Sequence, residues 1–284
     1  MIPTTLPFVN RAPRDVAGWV ALFDHRSLPV LAATALALEE LRDVEDEVDA
    51  HLLAQTVASD PLMTLMLLSH VAELRRGREG SEVETVTEAL VMLGIPPFFR
   101  AFALLPTVEE RLALEPLALQ GFQRVLHRSH RAARFAIGFA VHRMDHDAPV
   151  LHEAALLHDF AEMLLWVRAP QLALQIDQRQ AVEPGLRTAA LQRELLNVEL
   201  AAVQHALMLS WRLPSLLVQI TDDHAQQPTL QARNVQLAIR VARHSTHGWD
   251  NPALPDDIRD IADLLRLGTE PTMRLLADID ADDN

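Results

Sequence analysis

Apolar residues recur along this chain at intervals of three and four, broken by proline-rich and acidic stretches, and nowhere alternate over the length of a strand. Residues 1–12 read as an extended arm, and Asp15 to Phe23 as a short helix. Leu31, Ala35, Leu38 and Leu41 predict a helix to about Arg42, and Leu52, Leu53 and Val57 another after the acidic turn Asp43 to Asp49. Asp60-Pro61 stops one helix and starts the next, because Asp60 can cap and Pro61 suits a first turn. Leu62, Leu65, Leu67, Leu68 and Val71 continue it to the polar loop from Arg75 to Gly80. Thr85 can cap a helix from Val86 to Leu93, which Gly94 ends. Phe98 to Leu105 follows the Pro96-Pro97 pair, and Pro106 to about Pro116 reads as a junction between two helical layers.

A long helix is predicted from Leu117 to Met144, with Phe122, Val125, Leu126, Ala133, Ile137, Ala140 and Val141 as its apolar stripe. After the break at 145–149, one helix is predicted from Val150 to Val167, then a piece from Leu172 to Arg179 and the turn Glu183-Pro184-Gly185. One long helix is expected from Arg187 to Trp211, followed by Ser215 to His224 and Leu230 to His244. The loop Gly248 to Asp256 precedes closing helices from Asp257 to Leu267 and Pro271 to Ile279, with a polar end from Ala281. The expectation is an all-α, multi-helical fold.

Composition agrees with helix. Hydrophobic residues make up 49% of 284, enough for a large core. Glycines number only nine, too few for many tight hairpins, and tyrosine is absent. A net charge of −14 disfavours direct nucleic-acid binding. Two basic clusters, Arg75, Arg76 and Arg78, then Arg128, Arg131 and Arg134, read as solvated helix faces. The lack of cysteine excludes disulfides, zinc-thiolate sites and thiol catalysis and fits a reducing cytoplasm. No signal-peptide pattern or membrane-spanning run is evident, so a cytoplasmic protein without membrane contact is expected.

The chemistry centres on Leu151-His152-Glu153-Ala154-Ala155-Leu156-Leu157-His158-Asp159-Phe160, an apolar run that ends in an adjacent His-Asp pair. Such a pair either coordinates a metal or forms a polar knot in a helical core. The wider candidates are His127, His130, His152, His158, Asp159, Glu162, His205, Asp223 and His224. His127 and His130 share a helix face. If that face meets His158 and Asp159, a divalent metal held there could activate water against a phosphoester. A buried His bonded to a carboxylate and doing nothing more is the alternative. Other chemistries fail early: there is no Gly-rich phosphate loop and no GxSxG elbow, and Leu156 stands where HExxH needs its second His. Asp278, Asp280, Asp282 and Asp283 read as a solubilising, frayed end.

These pieces, in this order, resemble the HDOD domain, a helical output domain related to the HD phosphohydrolases. Leu28-Pro29-Val30 is similar to its opening Leu-Pro segment, and Asp60-Pro61-Leu62-Met63-Thr64 with Leu67-Leu68 to its Asp-Pro-x-Leu-Thr stretch. Val86 to Gly94 resembles Ser-Ile-x-x-Ala-Ile-x-x-Leu-Gly, and His130 with Ala132-Ala133 the following helix. Ala154 to Phe160 resembles Gly-Leu-Leu-His-Asp-Ile-Gly, Trp211-Arg212-Leu213-Pro214 resembles Trp-x-Leu-Pro, and His224 sits where a His or His-His follows. The departures are as telling. Val198-Glu199-Leu200 lacks the His expected about eleven residues before the Trp, with His205 displaced. Ala225 replaces a second His, Ala161 replaces the Gly after the His-Asp motif, and Arg243 stands where HD enzymes need a late Asp.

The resemblance implies an HDOD-like domain over 28–245, with lobes of about 28–110 and 117–245, an N-terminal arm and short helix over 1–27, and a C-terminal helical extension over 246–284. It also implies a non-catalytic, regulatory signal-transduction domain, typically bacterial, acting on signalling proteins in trans or binding a nucleotide or other small ligand between the lobes. His130, His158, Asp159 and His224 would line that cleft, with no cofactor. The alternative is a metal-dependent HD-type phosphohydrolase. There His130, His158 and Asp159 would hold Fe, Mn or Zn, His224 would bind phosphate, and Asp223 or Glu199 would replace the missing ligand. A third reading is a helical scaffold with no ligand.

Overall fold

The computed structural model describes residues 7–77, 82–183, 185–222 and 227–281. The elements are α1 Val16–Val20, α2 Ala32–Asp43, α3 Ala50–Ala58, α4 Pro61–Leu74, α5 Val86–Leu93, α6 Ile95–Ala101, α7 Val108–Arg111, α8 Pro116–His142 and α9 Ala148–Leu157. Then come α10 Phe160–Arg168, α11 Pro170–Val182, α12 Thr188–Leu196, α13 Leu200–Ser210, α14 Ser215–Ile220, α15 Leu230–His244, α16 Leu254–Leu265 and α17 Thr269–Ala281. The chain is all-α: among the described residues the β-type pairing is one isolated bridge between Val30 and Thr107. None of the described helices is long and apolar enough to cross a membrane.

Two compact units divide the chain, residues 1–125 with 160–214, and residues 126–159 with 215–284. Neither is contiguous in sequence, so this division by packing is not the division into lobes 28–110 and 117–245.

The first unit is built around α4, which is apolar on every side and buried from Pro61 through Ser69. Its N-terminus is held by Asp60, a fully buried carboxylate. Oδ1 accepts the N–H groups of Leu62 and Met63 at 2.9 and 3.1 Å, and Oδ2 accepts that of Leu31 at 2.7 Å. One side chain thus caps α4 and fixes the entry to α2. The preceding Leu28-Pro29-Val30 segment is tied by Val30 N–H to Pro106 O at 2.9 Å and by Val108 N–H to Val30 O at 2.8 Å. Thr107 and Glu110 close a reciprocal capping box on α7. Burial pushes the Asp60 carboxyl up, and the backbone N–H groups oppose that rise.

In the second unit α9 and α15 run parallel. Gln231 Nε2 donates to Asp147 Oδ2 at 3.3 Å near their starts, and Arg243 lies 3.8 Å from Asp159 at their ends, the same 84-residue offset in both pairs. The C-terminal helix α17 docks on α8: Ile279 lies over Gly138, where any β-carbon would come within 2.4 Å of its Cδ1. Arg131 Nε and Nη2 donate to the two oxygens of Asp280 at 2.8 and 2.9 Å, and its guanidinium also reaches Ala242 O and Ser245 Oγ.

Several expectations need correction. The single helix expected from Val150 to Val167 breaks at His158-Asp159, and the one from Arg187 to Trp211 breaks at Asn197. Asn197 takes a left-handed φ of 63° and donates to Pro13 O at 2.9 Å. Asp280 is not at a frayed end, and Arg131, 4% exposed, is not on a solvated face, because the two form an ion pair. Gly94 does end α5, at φ 82°. The start of the N-terminal arm, Arg78 and the loop as far as Gly80, Pro184, Asp223, His224, Ala225, Asp282 and Asp283 lie outside the described residues.

Asp60→Ala leaves three N–H groups without their acceptor, two of them at the start of α4, and should cost about 3 kcal/mol. Asp60→Asn, which keeps one acceptor oxygen, should lose less. Urea unfolding of both variants is the check, and an Ala variant within about 0.5 kcal/mol of wild type would refute this role.

Candidate functional site

The break between α9 and α10 places the central carboxylate. His158 caps α9 with its N–H bonded to Ala155 O at 3.4 Å, and Asp159 follows in the turn. A straight helix would send these two side chains about 100° apart. Here His158 Nδ1 lies 3.0 Å from Asp159 Oδ1. From α8, Arg128 donates twice to Asp159 Oδ2, through Nε at 2.9 Å and Nη2 at 2.7 Å. From α15, Arg243 Nη2 stands 3.8 Å from Oδ1. The Asp159 and His158 side chains are 13% and 9% exposed, whereas Arg243 is 54% exposed.

One shielded carboxylate is therefore surrounded by two guanidiniums and an imidazole. Burial alone would raise Asp159. The charge of Arg128, the hydrogen bond and charge of His158, and the charge of Arg243 outweigh it and hold the carboxyl well below the usual carboxylate range. Asp159 is thus ionised at any physiological pH, and Arg128 supplies its closest counter-charge.

The sequence singled out His127 and His130 as the α8 contribution, but the residue that meets Asp159 from that helix is Arg128, set aside with the solvated arginines. A cation within a turn of His130, on a helix expected to face a buried His-Asp pair, was the available signal. Arg243, expected in place of a carboxylate, does face Asp159. His130 lies near His152, whose imidazole is pushed down to about 4, mainly by burial and further by the charge of His130. Glu199 is engaged by Arg193, and His205 is exposed on α13. His224 and Asp223 lie outside the described residues.

A model of the HDOD domain matches residues 28–227. This chain belongs to the HDOD domain family. Solved structures share its fold. The MmoQ response regulator of Methylococcus capsulatus aligns at 23% identity and a TM-score of 0.68, over 89% of this chain and 98% of its own. A virulence factor from Campylobacter jejuni aligns at 16% identity and 0.63, over 95% and 100%. No curated protein matches the sequence.

The metal alternative open from the sequence, a divalent ion on His130, His158 and Asp159, is the obvious test of this site. The side chains do not fit one. Both Asp159 oxygens already face cationic or imidazole groups, and a divalent ion beside them would meet the positive charge of Arg128 and Arg243. Among the described residues no group of three or more His, Asp or Glu is arranged to hold a metal ion.

The low affinity of His152 for a proton makes stability pH-dependent. Above pH 6.5 the residue is neutral both folded and unfolded. As pH falls from there toward about 4, the unfolded chain takes up a proton that the folded chain refuses. Between pH 7.5 and 5 this should remove about 2 kcal/mol from the unfolding free energy. His152→Gln should flatten that loss in urea titrations at the two pH values, and an unchanged slope would contradict the assignment.

Proposed function

We propose that this HDOD protein is a regulatory signal-transduction domain without catalysis of its own, acting through contacts with signalling proteins in trans or through a small ligand. The observation that carries the reading is the pairing of Asp159 with Arg128. In a hydrolytic site of HD type this carboxylate would have to face a metal, and here it neutralises a guanidinium. Arg243 adds a second positive charge where a further carboxylate ligand would be required. The pair His158-Asp159 then serves as a polar knot that fixes the turn between α9 and α10, the bland alternative open at the level of sequence. A solved structure of the same fold bears the name response regulator, which accords with a signalling role.

The test is manganese titration by calorimetry, alongside hydrolysis of bis-p-nitrophenyl phosphate with manganese present. The expected result is no saturable binding up to about 1 mM and no turnover above background. Micromolar binding and turnover, both lost in His158→Ala and Asp159→Asn, would overturn the proposal and restore the phosphohydrolase.

A further inference from the structure

Acidic side chains outnumber Lys and Arg in this chain by 39 to 25, so an arginine without a carboxylate is not explained by a shortage of acids. Arg111, in the last turn of α7, and Arg168, in the last turn of α10, are two such arginines, both in the first unit. Among the described residues neither forms an ion pair. The acids nearest to Arg111 in sequence are committed elsewhere. Glu109 accepts the Ala32 N–H at 2.9 Å, Glu110 that of Thr107 at 3.3 Å, and Glu115 an N–H of the Gln171 amide at 3.0 Å.

The N-terminal arm gathers the two side chains at one place. The Arg111 guanidinium carbon lies 4.1 Å from the centroid of the Phe8 ring. Arg168 Nη1 donates to Pro7 O, and Val9 N–H donates to Arg168 O at 2.8 Å. Arg111 Nε donates to Val167 O at 3.3 Å, which brings it beside the residue before Arg168. Both guanidiniums therefore stand at the same short stretch of arm, Pro7-Phe8-Val9. Burial, and then the charge of Arg168, push Arg111 down from its ordinary value. Two like charges held together and partly buried are costly, and no carboxylate offsets the cost.

The contacts within the protein leave both charges in place, because Pro7 O and Val167 O are neutral carbonyls. Arg111 Nη2 and Arg168 Nε are enclosed without an acceptor and are closed to any ligand. Arg111 Nη1 and Arg168 Nη2 are different: among the described residues they carry no hydrogen bond, and they are not enclosed. The backbone oxygens that would repel an anion here, those of Pro7, Val167 and Arg168, each already accept an N–H.

We propose that Arg111 and Arg168 together bind a small phosphate dianion, free or as a monoester, which accepts from Arg111 Nη1 and Arg168 Nη2. Two unit charges call for a dianion, since a single carboxylate would leave one of them unmet. A tetrahedral oxyanion also offers several acceptors to two planar guanidiniums, the geometry in which arginine is strongest. None of these residues belongs to the Asp159 site, so the inference does not depend on how that site is read.

Calorimetric titration with inorganic phosphate, at low ionic strength and about pH 8, tests it. Saturable binding of one equivalent with a Kd of about 1 mM or tighter is expected. Arg111→Gln and Arg168→Gln each keep an amide N–H for the carbonyl they hold and lose the charge, and each should weaken binding about tenfold or more. Equal thermal unfolding of the three proteins without phosphate shows that the fold and the arm survive. Arg75→Gln, at the end of α4, should leave the affinity unchanged. Phosphoserine titrated beside phosphate distinguishes the sources, the ester binding more tightly at a monoester site and the free ion at a phosphate site. A pair that only clamps the arm would bind neither. No saturable heat from either titrant up to about 20 mM, or an affinity within about twofold of wild type in either Gln variant, would overturn the proposal.

Discussion

A carboxylate removed from water must find either N–H groups or a counter-charge, and Asp60, Asp257 and Asp159 show both solutions. Asp60 takes backbone N–H groups, and in doing so joins the start of α2 to the start of α4. Asp257, fully buried, takes His244 and Arg240 across the contact between α15 and α16. Asp159 takes Arg128. The last choice matters for function, because the charge that satisfies the carboxylate also decides what else can approach it. A side chain that answers to a guanidinium at 2.7 Å has its electrostatic demand met within the protein.

Much of the fold was legible because its signals are local. Asp60-Pro61, Thr85 and Gly94 act within one turn of where they stand, and each caps or ends the helix that its residue type implies. The breaks at His158-Asp159 and Asn197, each inside a stretch that reads as one helix, lack such punctuation. His158-Asp159 carries neither glycine nor proline, and Asn197 reaches a left-handed conformation that asparagine tolerates without advertising it. The motif order that resembles the HDOD domain pointed to the family over nearly the span that the family model matches.

The candidate site was less legible because its contacts are long-range. Arg128 and Asp159 are 31 residues apart, and Arg131 and Asp280 are 149 apart. Helical periodicity shows which residues share a face, and nothing about which distant acid that face meets. Arg128 and Arg131 are three residues apart and both are consumed by carboxylates, yet as a sequence pattern they match any solvated basic face. The substitution at Arg243 could be read from motif position alone. Together Arg128 and Arg243 surround Asp159 with positive charge, and the proposed reading of a domain that signals without hydrolysing rests on that.

The most direct measurement is the pH titration of the Asp159 side-chain carboxyl carbon by ¹³C NMR, assigned with Asp159→Asn. If Arg128, His158 and Arg243 neutralise it as described, the resonance stays that of a carboxylate well below the pH at which an ordinary aspartate takes up its proton. A midpoint at or above the ordinary carboxylate value would mean that the arginines do not satisfy this group, and the account of a site closed by its own cations would fall.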